Sequence, residues 1–103
     1  MQLEAKEDIS AVLQTHHSEL RQLGVCRYGL FGSFVRNEQR PDSDIDILIE
    51  FEPHKKNFQR YMQLAFFLED ILGRKVDIVT PESLSPYIGP NILNEVEYVA
   101  IST

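Results

Sequence analysis

Gly32-Ser33-Phe34-Val35-Arg36, followed by Ser43-Asp44-Ile45-Asp46-Ile47-Leu48-Ile49-Glu50-Phe51, decides how this chain is read. Ile45, Ile47, Ile49 and Phe51 alternate with other residues at period two, which is the pattern of a β-strand. Residues i and i+2 of a strand share a face, about 6.5–7 Å apart. Asp44 and Asp46 therefore project together while the isoleucines fill the opposite face. Two carboxylates side by side repel each other, and burying them unpaired is costly. A hard divalent cation supplies the missing positive charge and accepts carboxylate oxygens. The strand reads as a metal-binding strand.

Upstream, Val25 to Phe31 is nearly continuous in apolar character and predicts a first strand, with Cys26 in a buried position. It runs into Gly32-Ser33, after which Phe34-Val35-Arg36 resumes helix-compatible spacing. A strand that turns through Gly-Ser into a helix leaves free N–H groups at a positive dipole end, which favours phosphate. Gly32 allows close backbone approach, the Ser33 hydroxyl can donate to a phosphate oxygen, and Arg36 falls on the same side of the turn. Taken alone, Gly-Ser before a helix also fits an ordinary N-cap. The polar loop from Asn37 to Ser43 then returns the chain to Asp44 and Asp46.

Outward from this centre, residues 3 to 23 predict an amphipathic helix through Ile9, Val12, Leu13, Leu20 and Leu23, ended by Gly24. His16 and His17 sit at the edge of its apolar stripe and are assigned to packing. Asn57 caps a second helix, Phe58 to Leu72, whose wide buried face Phe66 and Phe67 extend, and Gly73 ends it. Lys55-Lys56 reads as a solvated turn. Lys75 to Thr80 is a third strand, on which Asp77 is a third acid in apolar surroundings. Pairing with Arg74 or Lys75 is its alternative explanation. Thr80-Pro81 opens a further helix, Pro86, Gly89 and Pro90 break the tail into short helical pieces, and Glu95 to Ile101 finishes as a strand.

These elements predict an α/β (α+β) chain forming a single domain over residues 1–103, with helices on a small mixed sheet. A length of 103 residues, 43% hydrophobic, suits one core. The net charge of −6 disfavours nucleic-acid polymers, though a local basic pocket can still hold a nucleotide. One cysteine precludes an internal disulfide. No apolar run suits a membrane span and no secretory leader is apparent, so the cytoplasm is expected.

Three carboxylates on two strands beside a phosphate cradle match what two-metal nucleotidyl transfer needs. In that arrangement Asp44 and Asp46 would ligate both ions and Asp77 one. Gly32 and Ser33 would hold the β- and γ-phosphates that leave as pyrophosphate. The Gly32-Ser33 turn, the Asp44-x-Asp46 strand and the later acid Asp77 together resemble the minimal nucleotidyltransferases of the DNA polymerase β superfamily, over about Tyr28 to Val99. The resemblance implies that fold, two Mg²⁺ ions and ATP as donor. It implies a helical HEPN-like toxin as partner in a hetero-oligomer, with AMP transferred to a tyrosine of that toxin. Many such proteins have glycine after the arginine, where this chain has Asn37. Asn is the next residue most tolerant of positive φ, so Asn37 is expected to adopt it. Two other readings are a nucleotidyl transfer to a small molecule such as an aminoglycoside, and a binding-only antitoxin. A template-directed polymerase lacks the basic surface it would need.

Overall fold

The structure, a computed structural model, describes residues 5–84 and 89–101. Strands β1 (Val25–Phe31), β2 (Ile45–Phe51), β3 (Val76–Val79) and β4 (Glu97–Ala100) form one mixed sheet in the order β3-β2-β1-β4. β1 is antiparallel to both β2 and β4, whereas β2 and β3 are parallel. Parallel neighbours need a crossover, and helix α3 (Phe58–Leu72) provides it. Asn57 accepts the Arg60 N–H at 2.8 Å to start α3, and Gly73 ends it in the left-handed conformation.

Alternation along β2 decides which face is buried. Ile45, Ile47 and Ile49 lie beside Tyr28 and Leu30 of β1 and Val76 and Ile78 of β3. Helices α1 (Lys6–Thr15), α2 (His17–Gln22) and α3 cover this face with Ile9, Leu13, Leu20, Leu64 and Leu68. Asp46 and Asp77 consequently face the other side, clear of the helical layer. Helix α4 (Gly89–Glu95) turns there into β4. A Cβ on Gly29 would meet Val96 Cγ2 at 2.5 Å and Glu97 O at 2.9 Å, so the α4–β4 corner rests directly on the β1 backbone.

Several expectations are revised. The helix expected over residues 3–23 is two helices, broken at His16, and residues 3 and 4 lie outside the described residues. The Thr15 hydroxyl donates to Val12 O at 2.7 Å, and His16 Nδ1 lies 2.8 Å from the same carbonyl. Side chains thus take the acceptor that would have continued the helix. His17 Nε2 lies 2.8 Å from the buried Tyr28 hydroxyl, which gives this histidine the packing role assigned to it. Cys26 is exposed, because a register shift between Val25 and Arg27 removes it from the β1–β2 pairing. Phe66 is 65% exposed: at about 100° per residue it lies opposite the Leu64–Leu68–Leu72 stripe. Neither the Gly-Ser nor the Thr-Pro junction opens an α-helix. Each forms one 3-10 turn, over Gly32–Phe34 and Pro81–Ser83. After the first, Asn37 has φ 60°, which a right-handed helix cannot continue. After the second, Leu84 is already extended. Gly89 and Pro90 do open a short helical piece, α4, as expected, and Pro86 lies outside the described residues.

Replacing Gly29 with alanine is expected to destabilise the fold by about 1–3 kcal/mol, because the Glu97 backbone has little room to give. A thermal melt that leaves the midpoint unchanged would show that the α4–β4 corner is not held against β1.

Candidate active site

β2 carries Asp46 on the face away from the helices, and the exposed Asp44 precedes its first residue. Parallel register places Asp77 of β3 directly beside Asp46. Adjacent strands are about 4.8 Å apart, so the two side chains leave the same face as near neighbours. Arg74, the alternative partner for Asp77, donates instead to Ser43 O at 2.9 Å and Arg40 O at 3.2 Å, and lies over the Phe34 ring. No ion pair among the described residues neutralises Asp44, Asp46 or Asp77.

The electrostatic result falls on Asp46. Burial, then the charges of Asp77 and Asp44, push its carboxyl up to about 6, with Arg36 only partly offsetting them. Crowded carboxylate oxygens without a cation are chemically suited to a hard divalent ion. Among the described residues no three acidic, histidine or cysteine side chains stand close enough to enclose an ion by themselves. Asp46 and Asp77 therefore share a face and a register, but the three acids expected to hold the ions do not form a preformed triad. The Asp46 carboxylate leans instead toward Gly32.

Gly32 has φ 81°, and a Cβ there would overlap the Asp46 carboxylate. Both facts favour glycine and join the turn to the acids. Ser33 beside it is half-buried, and its carbonyl accepts the Glu38 N–H at 2.8 Å. Arg36 is exposed and reaches back over the turn. Its Nε donates to Glu38 at 2.6 Å, and its Nη1 donates to Glu95 Oε1 at 2.8 Å. Glu95 also accepts the Gly32 N–H at 2.9 Å through Oε2. The sequence reading missed Glu95. It lies at the end of α4, 63 residues from Gly32, and no local pattern marks it. Lys56, read as solvated, bonds Glu82 at 3.2 Å and Thr80 at 3.3 Å.

The glycine turn, the two facing acids on parallel strands and the third acid before them are the arrangement that the sequence led us to expect of a nucleotidyl-transfer enzyme. Residues 13–99 match the nucleotidyltransferase domain model, and the chain belongs to that family of enzymes. It is 43% identical over 94 residues to a protein adenylyltransferase, MntA, of Thermococcus cleftensis, covering 90% of this chain and 94% of that one. A solved structure described as a minimal nucleotidyltransferase is 35% identical, with a TM-score of 0.72 over 89% of each chain. The fold is shared, at 21% identity and a TM-score of 0.54, with a chain of the solved complex between tri-AMPylated Shewanella oneidensis HEPN toxin and its MNT antitoxin; the match covers 82% of this chain and 69% of that one.

The raised Asp46 carboxyl makes stability depend on pH. The folded state binds that proton more tightly than the unfolded chain, so metal-free stability falls as pH rises from about 4 to about 6 and stays lower above. Asp46→Asn removes the crowded charge. It is expected to raise stability above pH 7 by roughly 1–2 kcal/mol after solvent screening, with the gain vanishing near pH 4. Thermal melts of both proteins in chelator at the two pH values check this, and equal midpoints at pH 7 would contradict it.

Proposed function

We propose that this chain transfers AMP from ATP to a tyrosine hydroxyl of a helical HEPN-type toxin and is the antitoxin of that pair. The observation that carries the proposal is the side-by-side register of Asp46 and Asp77 at the Gly32 turn. The adenylyltransferase relative and the AMPylated toxin complex of the same fold support the acceptor class. Asp44, Asp46 and Asp77 would hold Mg²⁺, two ions at this kind of site. Bound there, Mg²⁺ supplies positive charge to the triphosphate and to the oxygen that attacks it.

The chain's own groups bind and aim. The Gly32-Ser33 turn would take the β- and γ-phosphates through its N–H and hydroxyl donors, and Arg36 would neutralise them from the open side. Fixing the tail this way turns the α-phosphorus toward an incoming hydroxyl. The tyrosine oxygen bonds to that phosphorus and releases its proton to solvent, while the bond to the β-phosphate bridge breaks and pyrophosphate leaves. A reaction that consumes ATP and acts on a toxin would take place in the cytoplasm, the location proposed here. Among the described residues no helix is long and apolar enough to cross a membrane.

Incubation with purified partner toxin, Mg²⁺ and ATP tests the proposal by intact-mass spectrometry. One or more AMP groups are expected on the partner, on tyrosine. Ser33→Ala should slow transfer roughly 10²-fold while partner binding persists, and Asp46→Asn should abolish transfer. If both wild type and Asp46→Asn leave the partner unmodified yet neutralise it equally, binding alone is the function. Transfer to a small-molecule acceptor with the partner untouched would overturn the proposal in a different way.

A further inference from the structure

Two of the donors expected to bind phosphate, the Gly32 N–H and Arg36, are already engaged. The Glu95 carboxylate accepts the Gly32 N–H at 2.9 Å through one oxygen and Arg36 Nη1 at 2.8 Å through the other. A carboxylate bridging a turn N–H and a guanidinium presents the same charge and acceptor pattern as two phosphate oxygens. We propose that Glu95 is a resident competitor for the phosphate subsite, which closes the cradle when no nucleotide is bound and must swing out when a triphosphate enters. This rests on the reading of Gly32 and Arg36 as phosphate-binding groups.

Three features make the contact an occupied subsite rather than a surface ion pair. Glu95 is ionised in place: burial pushes its carboxyl up, but the Gly32 N–H and Arg36 outweigh burial and hold it below the usual carboxylate range. Its side chain is 21% exposed, whereas Glu38, the other partner of Arg36, is 64% exposed. It also adds negative charge beside Asp46, where a triphosphate would have to lie. Leaving Glu95 there would set its charge against the incoming phosphates at contact distance. The backbone need not move for it to go. Val96 stays seated on Gly29 and Glu97 stays paired with Leu30, so rotation of one side chain is enough. Arg36 then exchanges one anion for another and keeps Glu38 throughout. The exchange makes nucleotide affinity a difference between two anions rather than a property of the cradle alone.

Calorimetric titration with Mg²⁺ and AMP-PNP, an ATP analogue that resists transfer, tests the proposal on wild type, Glu95→Gln and Glu95→Asp. Glu95→Gln keeps the shape and removes the charge, so AMP-PNP should bind about tenfold tighter or more. Glu95→Asp keeps the charge but is one methylene too short to bridge both donors, and should tighten binding by a smaller factor. Inorganic tripolyphosphate should follow the same order, whereas adenosine, having no phosphate, should bind all three proteins equally. Weaker AMP-PNP binding to Glu95→Gln would make Glu95 a positioning residue for nucleotide and overturn the competition. Equal tightening of adenosine would mean a general opening of the site and would overturn it too. If wild type and both variants, each with a folded thermal transition, fail to bind AMP-PNP, the phosphate reading of the site fails and takes this inference with it. If wild type binds and Glu95→Gln binds no better, only the inference fails.

Discussion

Asp46 and Asp77 stand side by side on parallel strands, and the rest of the molecule can be understood as what makes that juxtaposition tolerable. Like charges at strand spacing oppose the pairing that brings them together. The pairing survives because the opposite faces of the same residues' strands, Ile45, Ile47, Val76 and Ile78, are buried under three helices. The period-two geometry of the strand couples the two faces rigidly. A register slip that separated the acids would also turn the isoleucines out of the core. The hydrophobic face thus holds a charged one that would not assemble by itself.

The same coupling explains the turn. Gly32 follows Phe31, which pairs with Asp46 across β1 and β2, so the turn is delivered to the acids by sheet register. The close fit of Gly32 to the Asp46 carboxylate leaves no room for a Cβ. One short 3-10 turn carries Arg36 back over the site, and the left-handed Asn37 that follows brings Glu38 against it. The field of a full helix dipole is not available to a turn this short. Under the proposed function, anion recognition would depend on individual donors, and two of them, the Gly32 N–H and the Arg36 guanidinium, point at one spot where Glu95 now sits.

Much of this was legible in the residues. Alternating isoleucines specified the strand and forced Asp44 and Asp46 off its apolar face, because strand geometry leaves no other choice. Glycine and asparagine after Leu23, Arg36 and Leu72 marked three of the positive-φ positions, where most other residues are sterically disfavoured, whereas His54, at φ 65°, carried no such mark. Where the reading went wrong, a local competitor had won. Thr15 and His16 drew the Val12 carbonyl out of a continuous helix. Phe66 is apolar, but its position on α3 turns it outward.

What the sequence determined by itself was the four strands, the long α3 helix, the apolar face of β2, and three acids with one glycine turn, since these follow from periods and steric limits along the chain. Only the tertiary structure decided that Asp77 faces Asp46, because parallel register depends on how the α3 crossover lays β3 against β2. It alone decided that Asp46 carries the crowded charge, because burial and two neighbouring carboxylates act through space. Glu95 is the clearest case. Its place in the cradle comes from the α4–β4 corner resting on Gly29, a contact between distant segments that no local pattern encodes.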